Sequence, residues 1–319
     1  MVKANILKGR DNNEIDLESH CSRQELLALV KRTYEYVIRE TGKASKGYFY
    51  ILSGGKSEVY ILGSIHMADI SIYPLDWRIE DAFNRADYIV VEADVTNMSD
   101  SAEYIQRKAL FAGGKTIKEM LSPETYEIYK KQMEFYGFES EAYNTLKPWY
   151  AAMLIQNLSL QESSYEADLG LDMYFLARTI DKEILEIEGV KFQIDLFDNF
   201  SNDIQEMFLL DSLLSTGSNI EEDSLSSETL RYMLKVWREG DEVELVNLIS
   251  IDNEVEVTEF DQLFWVERNK NMTQKIINYS EDDRGKVYFV IVGAGHLVGD
   301  SGVVKELLDL EYILEKVTK

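Results

Sequence analysis

Two strand-like runs that end in the same spacing of glycine and histidine constrain this chain more than any other feature. Residues 59–66 hold four apolar or aromatic residues, a glycine and, three positions after the glycine, a histidine; residues 288–296 repeat that order. A short apolar run predicts a buried strand, and a glycine at its end lets the backbone turn or approach a neighbour closely. The two pairs are Gly63 with His66 and Gly293 with His296.

The chain contains three histidines, and two of them occupy these matching places. A lone histidine in a loop is most often satisfied by local hydrogen bonds, but two in matching contexts favour a shared role. Open α/β folds bind their ligands beyond the carboxyl ends of the strands. We therefore expect both imidazoles at one edge of a sheet.

Composition narrows the class of protein. The 319 residues are 45% hydrophobic and 29% charged, which is typical of a globular protein with a sizeable core. A net charge of −25 argues against nucleic acid and against an anionic membrane surface as partners, because both attract basic patches. The single cysteine, Cys21, excludes an internal disulfide and a cysteine-rich metal site.

Membrane and export signals are not visible in the sequence. No segment is apolar over the length of a membrane span, and residues 1–10 lack the apolar core of a signal peptide. We expect a soluble, cytoplasmic protein without a membrane span. Its partner is expected to be a peptide or another small molecule, and a homodimer is compatible with the sequence.

Hydrophobic periodicity predicts an α/β fold with a mixed, mostly parallel central sheet and a large helical insertion that caps one sheet edge. Residues 1–45 are expected to form an N-terminal arm and a helix. Residues 46–319 are expected to form a single domain, with the insertion at about 99–280. The helices should cover the sheet edge because ligand pockets favour crevices between subdomains.

Local signals place the individual elements. Glycines in residues 53–57 favour a hairpin, and a helix that opens at Pro74 separates strand-like runs at 58–62 and 87–91, which is the order of a parallel βαβ unit. Further helices are predicted at 22–40, 100–112, 123–137, 148–161, 169–180, 190–216, 226–239, 241–250 and 256–279, further strands at 183–187, 287–292 and 312–316, and a loop at 215–227.

Four residues suited to metal chemistry follow strand-like runs: His66, Glu92, Glu188 and His296. Neutral imidazole nitrogens and carboxylate oxygens are usual ligands of Zn, Mn or Co in hydrolytic sites. Two histidines and one carboxylate would leave a coordination position for a water molecule, whose pKa the ion lowers. The glutamates also fit a simpler interpretation, as carboxylates that face water beyond the end of a strand.

An ordered set of motifs resembles the TraB/GumN family, which is related to the Tiki proteases. That family is recognised by two Gly-x-x-His motifs, a glutamate after the strand that follows the first motif, and an arginine in the C-terminal half. The resemblance covers about residues 48–316 and leaves residues 1–45 outside it. The matching residues are Gly63 and His66, Glu92, Pro148 and Trp149, Gly170 and Asp172, residues 185–188, Arg268 and Asn269, and Gly293 and His296.

The resemblance implies a fold like that of the erythromycin esterase and ChaN-like proteins and, from the Tiki members, a divalent-metal peptidase activity. Within that frame His66 and His296 are expected to be metal ligands, and Glu92 a ligand or general base, with Mn, Co or Zn as the ion. Arg268 is expected to stabilise an oxyanion or a substrate carboxylate, or else to form a structural salt bridge. TraB-type members are associated with the shutdown of peptide pheromones.

A further set of residues is expected to orient the histidines or to contact the substrate, because the partners behind a ligand fix its tautomer and direction. These residues are Glu188, Asp172, Asn269, Gly63 and Gly293.

Three functions stay open at this point. The first is a metal-dependent hydrolase that cleaves short peptides. The second is a metal-independent, esterase-like hydrolase in which a histidine is the general base. The third is a protein that binds a peptide or haem without catalysis. Sensitivity to a chelator separates the first from the second, and turnover separates both from the third.

Overall fold

The structure is a computed structural model. Most of the predicted N-terminal arm and most of the loop predicted at 215–227 lie outside the residues that it describes. The described residues are 6–7, 20–96, 99–161, 165–215, 225–249 and 258–317.

Within these residues, the centre of the protein is a six-stranded mixed sheet. The two middle strands are buried on both faces, which explains why their sequences are continuous apolar runs rather than alternating ones. In chain order the strands are β1 (Tyr48–Ser53), β2 (Glu58–Ser64), β3 (Tyr88–Val91), β4 (Glu183–Glu186), β5 (Val287–Gly293) and β6 (Ile313–Lys316).

The strand order is β4-β3-β5-β2-β1-β6. The first four strands run parallel, and β1 runs antiparallel to β2 and to β6. This arrangement confirms the predicted mixed, mostly parallel sheet. Strand β5 lies between β2 and β3, and the register pairs Gly63 with Val292 and Ser64 with Gly293. The two glycine–histidine motifs therefore lie side by side, although more than two hundred residues separate them in the chain.

The first helix begins and ends where the local signals predict it. Ser22 caps the first helix together with Glu25, and Gly42 ends it at φ 61°. The helices are α1 (Arg23–Thr41), α2 (Trp77–Arg85), α3 (Ser99–Ala109), α4 (Pro123–Phe135), α5 (Ser140–Tyr143), α6 (Pro148–Gln161), α7 (Leu171–Leu176), α8 (Val190–Asn199), α9 (Asn202–Ser215), α10 (Leu225–Glu239), α11 (Glu242–Leu248), α12 (Glu259–Asp261), α13 (Glu267–Ser280), α14 (Ala294–Leu297) and α15 (Val303–Asp309).

Three helix predictions differ from the structure, one in where the helix begins and two because extended backbone interrupts the predicted helix. The helix expected from Pro74 begins at Trp77, because the side chain of Asp76 accepts a hydrogen bond from the backbone of the second helical residue. The helix expected at 190–216 is divided into α8 and α9, since Phe200 has extended backbone angles. The helix expected at 169–180 is interrupted by extended backbone at Gly170.

The helical insertion has an apolar core of its own, formed chiefly by α4, α6 and α9. Helices α10 and α11 instead contribute to the core of the sheet. None of the helices in the described parts of the chain combines the length and the apolar character that a bilayer crossing needs.

Trp237 on α10 fixes this part of the insertion to the sheet. Its indole is 1% exposed, and Nε1 donates a hydrogen bond of 2.8 Å to the carbonyl oxygen of Gly63. Gly47 has φ 62°, and a Cβ atom there would lie 2.6 Å from the indole. Gly63 is equally confined, because its Cβ would lie 2.9 Å from Cβ of Tyr48 and 3.0 Å from Cα of Ala294. The glycine of the first motif is therefore required by packing.

Replacing Trp237 by alanine should lower the free energy of unfolding by about 3–5 kcal/mol, because a large buried side chain leaves a cavity and the Gly63 carbonyl loses its donor. Urea unfolding followed by circular dichroism measures this loss. Trp77→Ala is the matched control, since Trp77 is 42% exposed, and it should change the stability by about 0.5 kcal/mol or less. Equal losses in the two variants would contradict this account.

Candidate functional site

Four strand ends deliver polar groups to the same edge of the sheet. His66 follows β2, Glu92 follows β3, Glu188 follows β4, and Gly293 ends β5. Because these four strands are parallel and adjacent, their carboxyl ends meet. The insertion supplies further side chains to this edge from α7, α8 and α13.

A buried ion cluster joins α13 to the ends of β3 and β4. Arg268 donates from Nε and Nη2 to the two oxygens of Glu188, at 2.7 and 2.8 Å, and from Nη2 to Oε2 of Glu92 at 2.9 Å. The side chains are 5%, 3% and 11% exposed for Arg268, Glu188 and Glu92. The arginine thus forms the structural salt bridge that was the alternative to a role in substrate binding.

Gln193 on α8 completes the polar surroundings of this cluster. Its amide nitrogen lies 3.3 Å from Oε2 of Glu92 and 3.1 Å from Oε2 of Glu188. No motif in the sequence pointed to this glutamine. A signal exists in retrospect, because Gln193 lies one helical turn after Gly189, where α8 leaves the end of β4.

Asp172 orients His66. Oδ2 of Asp172 lies 2.8 Å from Nδ1 of His66, and Oδ1 accepts a hydrogen bond of 3.0 Å from the Ser64 hydroxyl. Gly170 makes this approach feasible, because a Cβ atom there would lie only 2.1 Å from the carbonyl oxygen of His66. The hydrogen bond from Leu171 N to the Ile65 carbonyl then sets the start of α7 against the histidine loop.

Asn269 orients His296 in the same way. Its Oδ1 lies 2.6 Å from Nδ1 of His296, and its Nδ2 donates to the carbonyl oxygen of Ser301 at 2.8 Å. Because the carbonyl of Ser301 requires the amide NH₂, the amide oxygen faces the imidazole, and Nδ1 of His296 carries the proton. In both histidines Nε2 is therefore the nitrogen directed away from the supporting side chain.

The cluster converges on the space beside Gly293. A Cβ atom built on this glycine would lie 3.3 Å from Oε1 of Glu92, 3.6 Å from Cδ2 of His296 and 3.8 Å from Nε2 of His66. The backbone N–H of Gly293 also donates to Oε1 of Glu92 at 2.6 Å. Because residue 293 has no side chain, Oε1 of Glu92 and both imidazoles lie next to the same backbone position.

Comparison with known proteins identifies the family of this chain. The model of the TraB/PrgY/gumN family matches residues 48–316, which include every side chain of the cluster. The chain belongs to the TraB/PrgY/gumN family. The match begins at the first residue of β1 and leaves α1 outside it, as the motifs predicted.

The relatives of this TraB-family chain carry no functional description. The uncharacterised protein YbaP of Escherichia coli (strain K12) is 26% identical over 258 residues, which are 79% of this chain and 89% of YbaP. An uncharacterised protein of Treponema pallidum (strain Nichols) is 19% identical over 175 residues, 54% of this chain and 52% of that protein. No solved structure gives a significant match.

The two family histidines have opposite electrostatic surroundings. The charge of Asp172, with smaller help from Glu92, raises the pKa of His66 to about 9. Burial lowers the pKa of His296 to about 4, since its amide partner brings no charge to offset the loss of solvent. At neutral pH the metal-free site therefore holds one imidazolium and one neutral imidazole.

Glu92 stays ionised despite its burial. Loss of solvent raises the pKa of this carboxyl, but the positive charges around it lower the pKa further, and the net direction is downward. At neutral pH Arg268 is the foremost of these charges, because His296 is then uncharged.

The structure brings every sequence-predicted site residue to this one edge of the sheet. Their roles as ligands, bases or substrate contacts stay predictions. Among the described residues, no group of three or more His, Cys, Asp or Glu side chains could hold a metal ion as arranged. Both oxygens of Glu92 already accept hydrogen bonds, from Gly293 and from Arg268.

In chelator-treated protein, Asp172→Asn should lower the pKa of His66 from about 9 toward the ordinary value of about 6.5. The folded-state pKa is raised, so the stabilising effect of the pair is complete below about pH 6.5 and is lost as the pH rises through about 9. The side chain of His66 is 67% exposed, and solvent keeps this effect small. Imidazole NMR titration measures the shift, and His20→Ala assigns the third histidine. An unchanged His66 midpoint in Asp172→Asn would contradict the assignment.

Arg268→Met should lower the free energy of unfolding by about 3–5 kcal/mol, because it leaves two buried carboxylates without a cation. Arg85→Met is the control, since Arg85 pairs with Glu58 at the surface and should lose about 1 kcal/mol or less. Adding Glu188→Gln to Arg268→Met should recover part of the loss. Urea unfolding of the four proteins tests this, and a loss below about 1 kcal/mol in Arg268→Met would argue against a structural role.

Proposed function

We propose that this TraB-family protein is a metal-dependent hydrolase that cleaves short peptides at the cluster of His66, Glu92, Arg268 and His296. One observation carries the proposal: each histidine has Nδ1 held by a side-chain oxygen, and both imidazoles lie next to Gly293 together with Oε1 of Glu92. The choice of a peptide bond rests on the resemblance to the Tiki proteases.

The residues present fit two of the ligands that a Zn, Mn or Co ion needs. A histidine that ligates through Nε2 characteristically donates its other N–H to a carboxylate or carbonyl oxygen, which describes both His66 with Asp172 and His296 with Asn269. The third ligand would be Oε1 of Glu92, which has a second lone pair beyond its bond to Gly293. A divalent ion bound there would lower the pKa of a water molecule.

The remaining groups hold this arrangement in place. Arg268 and Gln193 fix Oε2 of Glu92, so that Oε1 is the oxygen that faces both histidines. Glu188 also pairs with Arg268, so that one cation is shared by two carboxylates and the three groups together keep a negative charge that can attract a cation. If Glu92 is the general base, its ionised state at neutral pH suits the removal of a proton from water.

A second candidate is hydrolysis without a metal ion. It is favoured by the lack, among the described residues, of three side chains that could hold an ion as arranged. His296, with its pKa lowered to about 4, would accept the proton from water, and His66, with its pKa raised to about 9, would stabilise the oxyanion as an imidazolium. The rate would then be bell-shaped in pH between about 4 and 9 and indifferent to chelators.

The test combines metal analysis with turnover. Purified protein is assayed on a short-peptide library before and after chelation, and bound Zn, Mn and Co are measured by mass spectrometry. His66→Ala and His296→Ala should lose the ion and lower kcat/KM by about 10²–10⁴-fold. His20→Ala is the matched control, since it removes a histidine that lies outside the cluster, and it should retain both the ion and the activity.

Glu92→Gln separates the roles of the carboxylate. A general base leaves the ion bound and turnover lost, whereas a ligand loses both. Full activity in excess chelator would overturn the metal-dependent proposal in favour of the second candidate. Tight binding of peptides without turnover, in the presence of each ion, would overturn both and favour sequestration.

A further inference from the structure

Three aromatic side chains stand beside His296 in an unbroken series. The ring centroids of Phe260 and Phe264 are 4.9 Å apart at 12°, and those of Phe264 and Trp265 are 4.9 Å apart at 83°. Trp265 lies 5.0 Å from the imidazole of His296, and Phe264 lies 6.3 Å from it. Phe264 also lies 5.0 Å from the guanidinium carbon of Arg268. The aromatic series thus adjoins the cluster directly.

Local backbone geometry places these rings. Phe264 and Trp265 belong to a π-helical turn, Gln262–Val266, between α12 and α13. Such turns are rare and occur frequently at functional sites. Residues 264 and 265 precede Arg268 and Asn269 by about one turn, so all four side chains share one face of the helix.

The lack of a side chain at Gly295 makes room for the indole of Trp265. A Cβ atom on this glycine would lie 2.9 Å from Cη2 and 3.1 Å from Cζ3 of Trp265, so a side chain there would displace the ring. The family motif specifies only its first glycine and its histidine. Packing against Trp265 explains why the residue before His296 is also a glycine. One edge of the Trp265 ring therefore lies close to the backbone of the second motif.

The three rings are not fully buried in the apolar core. Phe260, Phe264 and Trp265 are each only partly buried, in contrast to Trp149 and Trp237, which are 0% and 1% exposed. Phe200 packs against Phe260, and Phe197 packs against Phe264. Apolar ring surface is therefore left accessible next to a site whose other groups are polar or charged.

We infer that Phe260, Phe264 and Trp265 form a subsite for a large apolar side chain of the substrate, next to the bond that is cleaved. This inference rests on the proposed hydrolase function and names its specificity. The polar cluster would engage the peptide group, and the rings would bury an adjacent phenylalanine, tryptophan or leucine side chain. The favoured substrates are then short peptides with a bulky apolar residue, rather than acidic or small-residue peptides.

The experiment compares pentapeptides that differ only in having Phe or Ala at one position, with that position scanned along the peptide. Wild-type protein should prefer Phe over Ala by at least about tenfold in kcat/KM at one position. Trp265→Ala should reduce this ratio to near unity, and Trp265→Phe should retain most of it. Phe135→Ala is the matched control, because Phe135 is 51% exposed on α4, outside the series, and it should leave the ratio unchanged.

A parallel binding measurement separates failure of the subsite from failure of the hydrolase. Isothermal titration uses the same peptides with every peptide bond reduced, so that none can be cleaved. A Phe preference in binding that Trp265→Ala removes would support the subsite even if no peptide is hydrolysed. Hydrolysis without any Phe preference would overturn the subsite and leave the hydrolase intact.

Two further outcomes also decide the question. A Phe preference that persists in folded Trp265→Ala would overturn the assignment of these rings. If circular dichroism shows that Trp265→Ala is unfolded, the same measurements are made on Phe264→Leu instead. Neither hydrolysis nor preferential binding in the wild-type protein would overturn both proposals.

Discussion

The pairing of Arg268 with two buried carboxylates is the interaction on which the rest of the site depends. Removing three ionised groups from water is costly unless they satisfy one another, so the arginine fixes Glu92 and Glu188 as firmly as they fix it. Since the arginine belongs to α13 and the glutamates follow β3 and β4, this one contact locks the insertion to the sheet. Asn269 is its neighbour in the helix, so the same contact also positions the partner of His296.

Packing explains why glycines recur in the second motif, next to the imidazole of His296 and the indole of Trp265. Gly293 lets Glu92 and both imidazoles approach the same backbone position, and Gly295 makes room for the indole of Trp265. Gly63 serves a different purpose, since Tyr48 and Ala294 leave no room for a side chain there. Its carbonyl oxygen also accepts a hydrogen bond from the indole N–H of Trp237. Glycines in equivalent motif positions thus serve the site in one case and the core in the other.

Two histidines with the same sequence context become chemically unlike because of what lies behind them. A charged carboxylate supports His66, whose side chain is largely exposed, whereas a neutral amide supports His296, which is 4% exposed. Charge raises one pKa and burial lowers the other. A site with both states at neutral pH can offer a lone pair and a proton at the same time, or two lone pairs once a cation displaces the proton of His66.

The sequence by itself determined the strand runs, the spacing that ends them in His66, Glu92, Glu188 and His296, and the family to which they belong, because apolar periodicity and glycine placement are local properties. Only the tertiary structure decided that β5 lies between β2 and β3, which brings the two motifs together. It also decided that Arg268 forms buried salt bridges with Glu188 and Glu92. Ser64 and Trp265 escaped prediction for the same physical reason: their contacts join residues far apart in the chain, and nothing in their neighbouring sequence indicates which partners the fold will give them.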